Sequence, residues 1–186
     1  MKSNRAFTIV ELLVILATLA ILIGISVVGY GGMQRNAREK ERESDIAIIQ
    51  ASLEEFYERN GYYPSADSIT LTGAADDSDK MTFLTRTLNI PETALVAPGA
   101  EAGTTSSLQR VNRDAWTNNA TALEQFAATY GYITYTDAHA DPPVECTGDD
   151  HCTAYILGYY SEVERNEDES GERAKRDMRT TSKHGF

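Results

Sequence analysis

One carboxylate, Glu11, stands at the edge of an apolar run that contains no other charge before Arg35. An acidic side chain held at mid-membrane costs about 2.5–3.5 kcal/mol on insertion scales. At the edge of the run it can escape to the interface. Drawn inward it needs a partner, and its own segment offers none, which points to a partner on another chain. The second reactive set is Cys146 and Cys152, with His139 and His151 nearby in sequence. Two thiols six positions apart can close a short disulfide loop, stay free, or join the histidines around zinc. The zinc reading ranks last, because the usual ligand spacing is two to four intervening residues.

Little else in the chain suggests chemistry. No nucleophile–base pair and no paired carboxylates stand out, so the sequence predicts no catalytic residues, no cofactor and no metal. His139, His151 and His184 are the only histidines and read as surface residues. "DDSD", residues 76–79, has alternating acids but lacks the glycine and distal glutamate of a calcium loop. "NAT", residues 119–121, is a glycosylation sequon and marks a surface loop.

The elements that must position Glu11 and the cysteines follow from patterning. Leu12 to Val28 is Leu, Ile, Val and Ala, interrupted only by Thr18, Gly24 and Ser26. A membrane-spanning helix needs about 20 apolar residues. Lys2 and Arg5 keep the N-terminus cytoplasmic by the positive-inside rule, which places the cysteines on the outer side, where disulfides persist. The run is too long for an ordinary secretory signal, and no small-x-small cleavage site follows it.

Residues 33–59 contain neither Pro nor Gly and are rich in helix formers. Ile46, Ile49, Leu53, Phe56 and Tyr57 mark one buried face. Residues 35–45, "RNAREKERESD", carry charge on nearly all sides and read as a solvated neck. Asn60-Gly61 followed by Pro64 is a helix stop. Gly24, Gly29, Gly31 and Gly32 weaken the middle of the helix, by about 1 kcal/mol each relative to alanine, and offer a place to unwind.

Beyond residue 60 the chain is first loop-rich. Residues 80–89 read as a short helix or strand. "TYGYITYTD" and "TAYILGYYSEV" then read as strands paired antiparallel around the cysteine loop. Residues 164–186 hold 12 charged residues and read as a mobile tail. The net charge of −11 lies almost wholly in residues 60–163, which carry 4 basic and 14 acidic side chains. Such a surface repels phosphate, so direct nucleic-acid binding is not expected. The expected fold is α+β: a long N-terminal helix, with a transmembrane half and an amphipathic half, packed on a small antiparallel sheet.

"RAFTIVELLVILATLAILIGI" resembles the class III signal of type IV pilins and of type II secretion pseudopilins. That pattern is a short basic leader, a small residue, Phe, and a glutamate at the fifth mature position. The small residue here is Ala6, where family members usually carry glycine, and Val27 and Val28 stand where the family has a proline. "LEEFYERNGYYP" resembles the end of the long pilin helix, and "RDAW" with "YGYITY" loosely resembles a segment of major pseudopilins. The calcium loop of those pseudopilins has no counterpart after residue 153. Cys146 and Cys152 resemble the C-terminal disulfide of many pilins.

The resemblance implies a division into leader (1–6), transmembrane assembly segment (7–32), amphipathic helix (33–59), head (60–163) and tail (164–186). It implies cleavage between Ala6 and Phe7 by a prepilin peptidase, N-methylation of Phe7, and assembly registry through Glu11. The chain would leave the cytoplasmic membrane and polymerise with itself into an extracellular filament. An assembly platform, a motor and minor pilins would be its partners, and adhesion, twitching motility or DNA uptake its uses. The alternatives are a pseudopilin of a secretion or competence apparatus and, from another class, an uncleaved membrane-anchored binding domain or enzyme.

Overall fold

The computed structural model describes residues 8–72, 77–111, 128–148, 151–159, 161 and 179–184, without the side chains of 25–30 and 179–181. Two units are distinguished, Met1–Ala37 and Arg38–Phe186, and each is treated by itself. One helix, α1 (Ile9–Asn60), contributes to both.

In the first unit the large apolar side chains described between Ile9 and Ile23 are exposed, with relative exposures from 47% at Leu19 to 81% at Ile9. Among the described residues no helix is long and apolar enough to cross a membrane. The expected transmembrane half, residues 7–32, includes Phe7 and the side chains of 25–30, which lie outside the described residues.

In the second unit α1 buries a stripe of Ile46, Ile49, Leu53 and Phe56 at the predicted i, i+3, i+4 spacing. The stripe continues further toward the N-terminus than the apolar pattern does. Glu39, Arg42 and Asp45 are all buried. The solvated neck expected at 35–45 is therefore corrected: one face of it is covered, because the sheet supplies polar partners there. The helix ends as predicted. Gly61 adopts φ +81, and its N–H donates to the Tyr57 carbonyl at 2.7 Å.

Four short helical segments follow: α2 (Ala66–Ile69), α3 (Asp77–Thr82), a π-turn (Phe83–Thr87) and α4 (Glu92–Leu95). The ambiguous 80–89 stretch is thus helical. Its end is set by Asn89 at φ 56, just ahead of Pro91.

The sheet contains β1 (Leu108–Arg110), β2 (Tyr130–Asp137), β3 (Val144–Glu145), β4 (Ala154–Tyr159) and β5 (Arg179–Thr181). The two predicted strands pair antiparallel, from Tyr130 opposite Tyr159 to Tyr135 opposite Ala154. The sheet as a whole is mixed rather than antiparallel, since β1 runs parallel to β2 with Leu108 opposite Tyr130. A parallel neighbour needs a connection of about a dozen residues or more, and the chain between β1 and β2 is long enough to supply it. The tail is corrected in part: β5 pairs antiparallel with β4, with Ile156 opposite Thr181.

Alternation along the strands sorts their side chains. Tyr130, Tyr132, Tyr155, Leu157 and Tyr159 join the helix stripe in one core, whereas Ile133, Tyr135 and Ala154 pack with Val111 in a second cluster. Leu53 is fully buried within the main core. Leu53→Ala is expected to lower unfolding stability by about 2–5 kcal/mol, measured by denaturant titration of tyrosine fluorescence.

Candidate functional site

Glu11 occupies the third position of α1, and Thr8 precedes the helix. The Thr8 N–H and Oγ1–H donate to Glu11 Oε2 at 3.1 and 3.0 Å, and the Glu11 N–H donates back to Thr8 Oγ1 at 3.2 Å. This is a capping box, in which each side chain accepts from the other residue's backbone N–H, a donor with no helical partner. The negative charge also complements the positive end of the helix dipole. Sequence reasoning missed this role, although the Thr-x-x-Glu spacing was its signal.

Ala6 and Phe7, the expected cleavage pair, lie outside the described residues. Gly24, Gly31 and Gly32 lie in a continuous helix, and among the described residues a Cβ added at any of them would meet nothing within 4 Å. Packing against the described residues therefore does not require glycine there. The surroundings of Gly29 are outside the described residues. The first unit presents a row of uncovered aliphatic side chains headed by one carboxylate, a surface that suits lipid or other apolar helices.

Cys146 and Cys152 form a disulfide with Cα atoms 5.7 Å apart. Of the three possibilities left by the sequence, the structure takes the first. Both cysteines are buried in the main core. The Tyr63 N–H donates to the Cys152 carbonyl at 2.8 Å, and the Cys146 N–H to the Thr134 carbonyl at 2.7 Å. The loop is thereby tied both to the turn after α1 and to β2.

Asp67 on α2 makes a third tie. It accepts from the Gly148 N–H at 3.1 Å and from Arg110 at 2.9 Å. The Gly148 bond, aided by Arg110 and Lys80 against a smaller opposing effect of burial, holds the Asp67 carboxyl below its ordinary range.

The histidines and acids are placed separately. His151 meets the Tyr62 ring edge at 4.1 Å. The His139 N–H donates to Asp137 at 2.9 Å. Among the described residues no three His, Cys, Asp or Glu are grouped to hold a metal. Of "DDSD", Asp77 to Asp79 open α3, where Asp77 accepts from the Thr72 N–H at 3.0 Å. The sequon at 119–121 and the "RDAW" segment lie outside the described residues.

A buried polar cluster centres on Glu54, 4% exposed. It accepts from Tyr63 Oη at 2.8 Å, Tyr155 Oη at 2.9 Å and the Lys183 N–H at 3.1 Å. His184 Nε2 lies 4.0 Å away, and its ring stacks on Tyr57 at 4.4 Å. Burial, reinforced by the carboxylate, pushes the Tyr63 and Tyr155 phenols well above their ordinary pKa. Both therefore remain donors at physiological pH. The apolar stripe gave no warning of this cluster. The available signal was the tyrosine content of the strands, since a buried phenol needs an acceptor.

Glu54 thus docks residues 183–184 onto α1. Glu54→Leu should leave two buried phenols unsatisfied, at roughly 1–3 kcal/mol each. It should also speed hydrogen exchange of the Lys183 amide in native protein, read by mass spectrometry, while Glu54→Gln gives a smaller increase. No family model, no curated protein and no solved structure matches this chain.

Proposed function

We propose that the chain is a pilin, a structural subunit that polymerises through its N-terminal apolar helix into an extracellular type IV pilus. The observation that carries this reading is the row from Ile9 to Ile23, whose large apolar side chains are exposed and which carries the charged Glu11 in its first turn. Before assembly, residues 7–32 are held in the cytoplasmic membrane. Cleavage after Ala6 frees the Phe7 amine. Packing of many such helices removes the aliphatic row from water and lipid together.

In this reading Glu11 acts twice. Within a subunit its carboxylate caps the helix. Between subunits it neutralises a neighbour's N-terminal amine, because opposite charges attract strongly in a low-dielectric core. An amine in any other register leaves the carboxylate buried and unpaired. The disulfide-closed loop supports a pilus pilin over a pseudopilin of a secretion or competence apparatus.

Processing is checked by mass spectrometry of purified surface filaments, which should yield a peptide starting at N-methylated Phe7. Intact Met1 in filaments would refute the reading. The second role of Glu11 is separated from the first by Glu11→Gln, which keeps a capping-box acceptor and removes the charge. That variant should be cleaved and retained in the membrane fraction, yet give no filaments by electron microscopy. Filaments of normal number and length would leave Glu11 as a helix cap alone.

A further inference from the structure

Strand β5 reaches its place by a long route. It pairs antiparallel with β4, with Gly158 opposite Arg179 and Ile156 opposite Thr181. Antiparallel neighbours are ordinarily joined by about two to five residues. Here residues 159–178 lie between the paired positions Gly158 and Arg179. Ser161 is buried, so the joining stretch beyond it is residues 162–178. At roughly 3.3 Å per residue such a stretch can span about 55 Å, far more than closing a hairpin requires.

The segment delivered by this stretch is held through polar contacts. Its sequence, Arg179 to His184, contains no apolar residue. The Ser182 N–H donates to the Tyr155 carbonyl at 3.2 Å, and the Tyr155 N–H donates to Ser182 Oγ at 3.3 Å. The Lys183 N–H reaches Glu54 Oε1 at 3.1 Å, and the His184 ring stacks on Tyr57. These partners lie on β4 and on α1. An edge segment that buries little apolar surface opens at a small fraction of the global unfolding free energy.

We propose that residues 179–184 exchange between neighbouring copies of the chain, each docking on the β4 edge and the Glu54–Tyr57 face of the next. A second copy presents the same edge, the same carboxylate and the same ring, so exchange replaces each contact by its equal. The choice between copies is then set by effective concentration. A dilute chain closes on itself. Packed subunits bring a neighbour's edge within the span of residues 162–178, at a concentration that competes with self-closure. The inference rests on the fibre reading, because polymerisation is what crowds the second units together. Exchange ties successive subunits by backbone hydrogen bonds alone, with no covalent step.

The test uses the full chain carrying both Tyr57→Cys and His184→Cys, treated with a short bis-maleimide. Cys146 and Cys152 are paired with each other and do not react. In dilute detergent the link should close within one chain and leave a monomer on a denaturing gel. In purified surface filaments it should join chains into a ladder, at least about tenfold more abundant than in dilute detergent. Mass spectrometry should map that link to positions 57 and 184, and either substitution alone should give no ladder. Glu58→Cys, an exposed neighbour, replaces Tyr57→Cys should that variant fail to assemble. Filaments holding only internally linked monomers would overturn the exchange and leave the fibre reading intact. A ladder given equally by the single variants, or no link in either sample, would overturn it as well. Absence of filaments from the wild-type chain would overturn the fibre reading, and the exchange with it.

Discussion

Carboxylates on one face of α1 that accept hydrogen bonds from tyrosines of the sheet are the constraint on which the second unit depends. Tyr159 donates to Glu39, Tyr130 to Asp45, and Tyr155 to Glu54. Arg42, between the first two, donates to the Pro98 carbonyl at 2.9 Å. A buried carboxylate is costly unless its oxygens are satisfied, and a buried phenol wants an acceptor. Each group meets the other's need, and neither is easily moved to another neighbour. Burial also raises the Asp45 carboxyl above its ordinary range, against the lowering effect of the Tyr130 bond. The sign follows from linkage: this group's contribution to stability is largest in acid and declines as pH rises through its folded value. Asp67, whose carboxyl is lowered by the Gly148 N–H, contributes in the opposite sense. Its stabilisation is present above its unfolded value and is lost as pH falls through the folded one.

The parts legible in sequence were those in which a side-chain pattern and a backbone requirement coincide. The stripe at Ile46, Ile49, Leu53 and Phe56, the stop at Asn60-Gly61 and the antiparallel pairing of the two tyrosine-rich strands are of this kind. The buried face at Glu39, Arg42 and Asp45 was not legible, because charged residues on a helix read as solvated until the partner's tyrosines are known. Strand β5 was hidden for a similar reason. "RTT", flanked by Met178 and Ser182, has no apolar alternation of its own, and its pairing comes from the open edge of β4. The parallel strand β1 is three residues long, too short for any periodic signal.

At the N-terminus, the question raised by a glutamate in an apolar run has a local answer before any intermolecular one. Thr8 and Glu11 satisfy each other's backbone donors, so the carboxylate has neutral partners in the isolated chain. That lessens the cost of carrying it into an apolar environment without cancelling its charge. The exposed aliphatic row behind it has no comparable remedy among the described residues, since its large side chains lie open to the surroundings.

The docking of Lys183 on Glu54 joins positions 129 residues apart, and the Tyr159–Glu39 bond joins positions 120 apart. These closures govern time as well as stability. A helix such as α1 relaxes within about a microsecond, whereas contacts of such separation slow folding to milliseconds or longer. Until residues 179–181 arrive, the edge of β4 presents unpaired backbone groups to any strand in reach. The interval between helix formation and arrival of this distant strand is therefore when the chain is most open to pairing with the wrong neighbour.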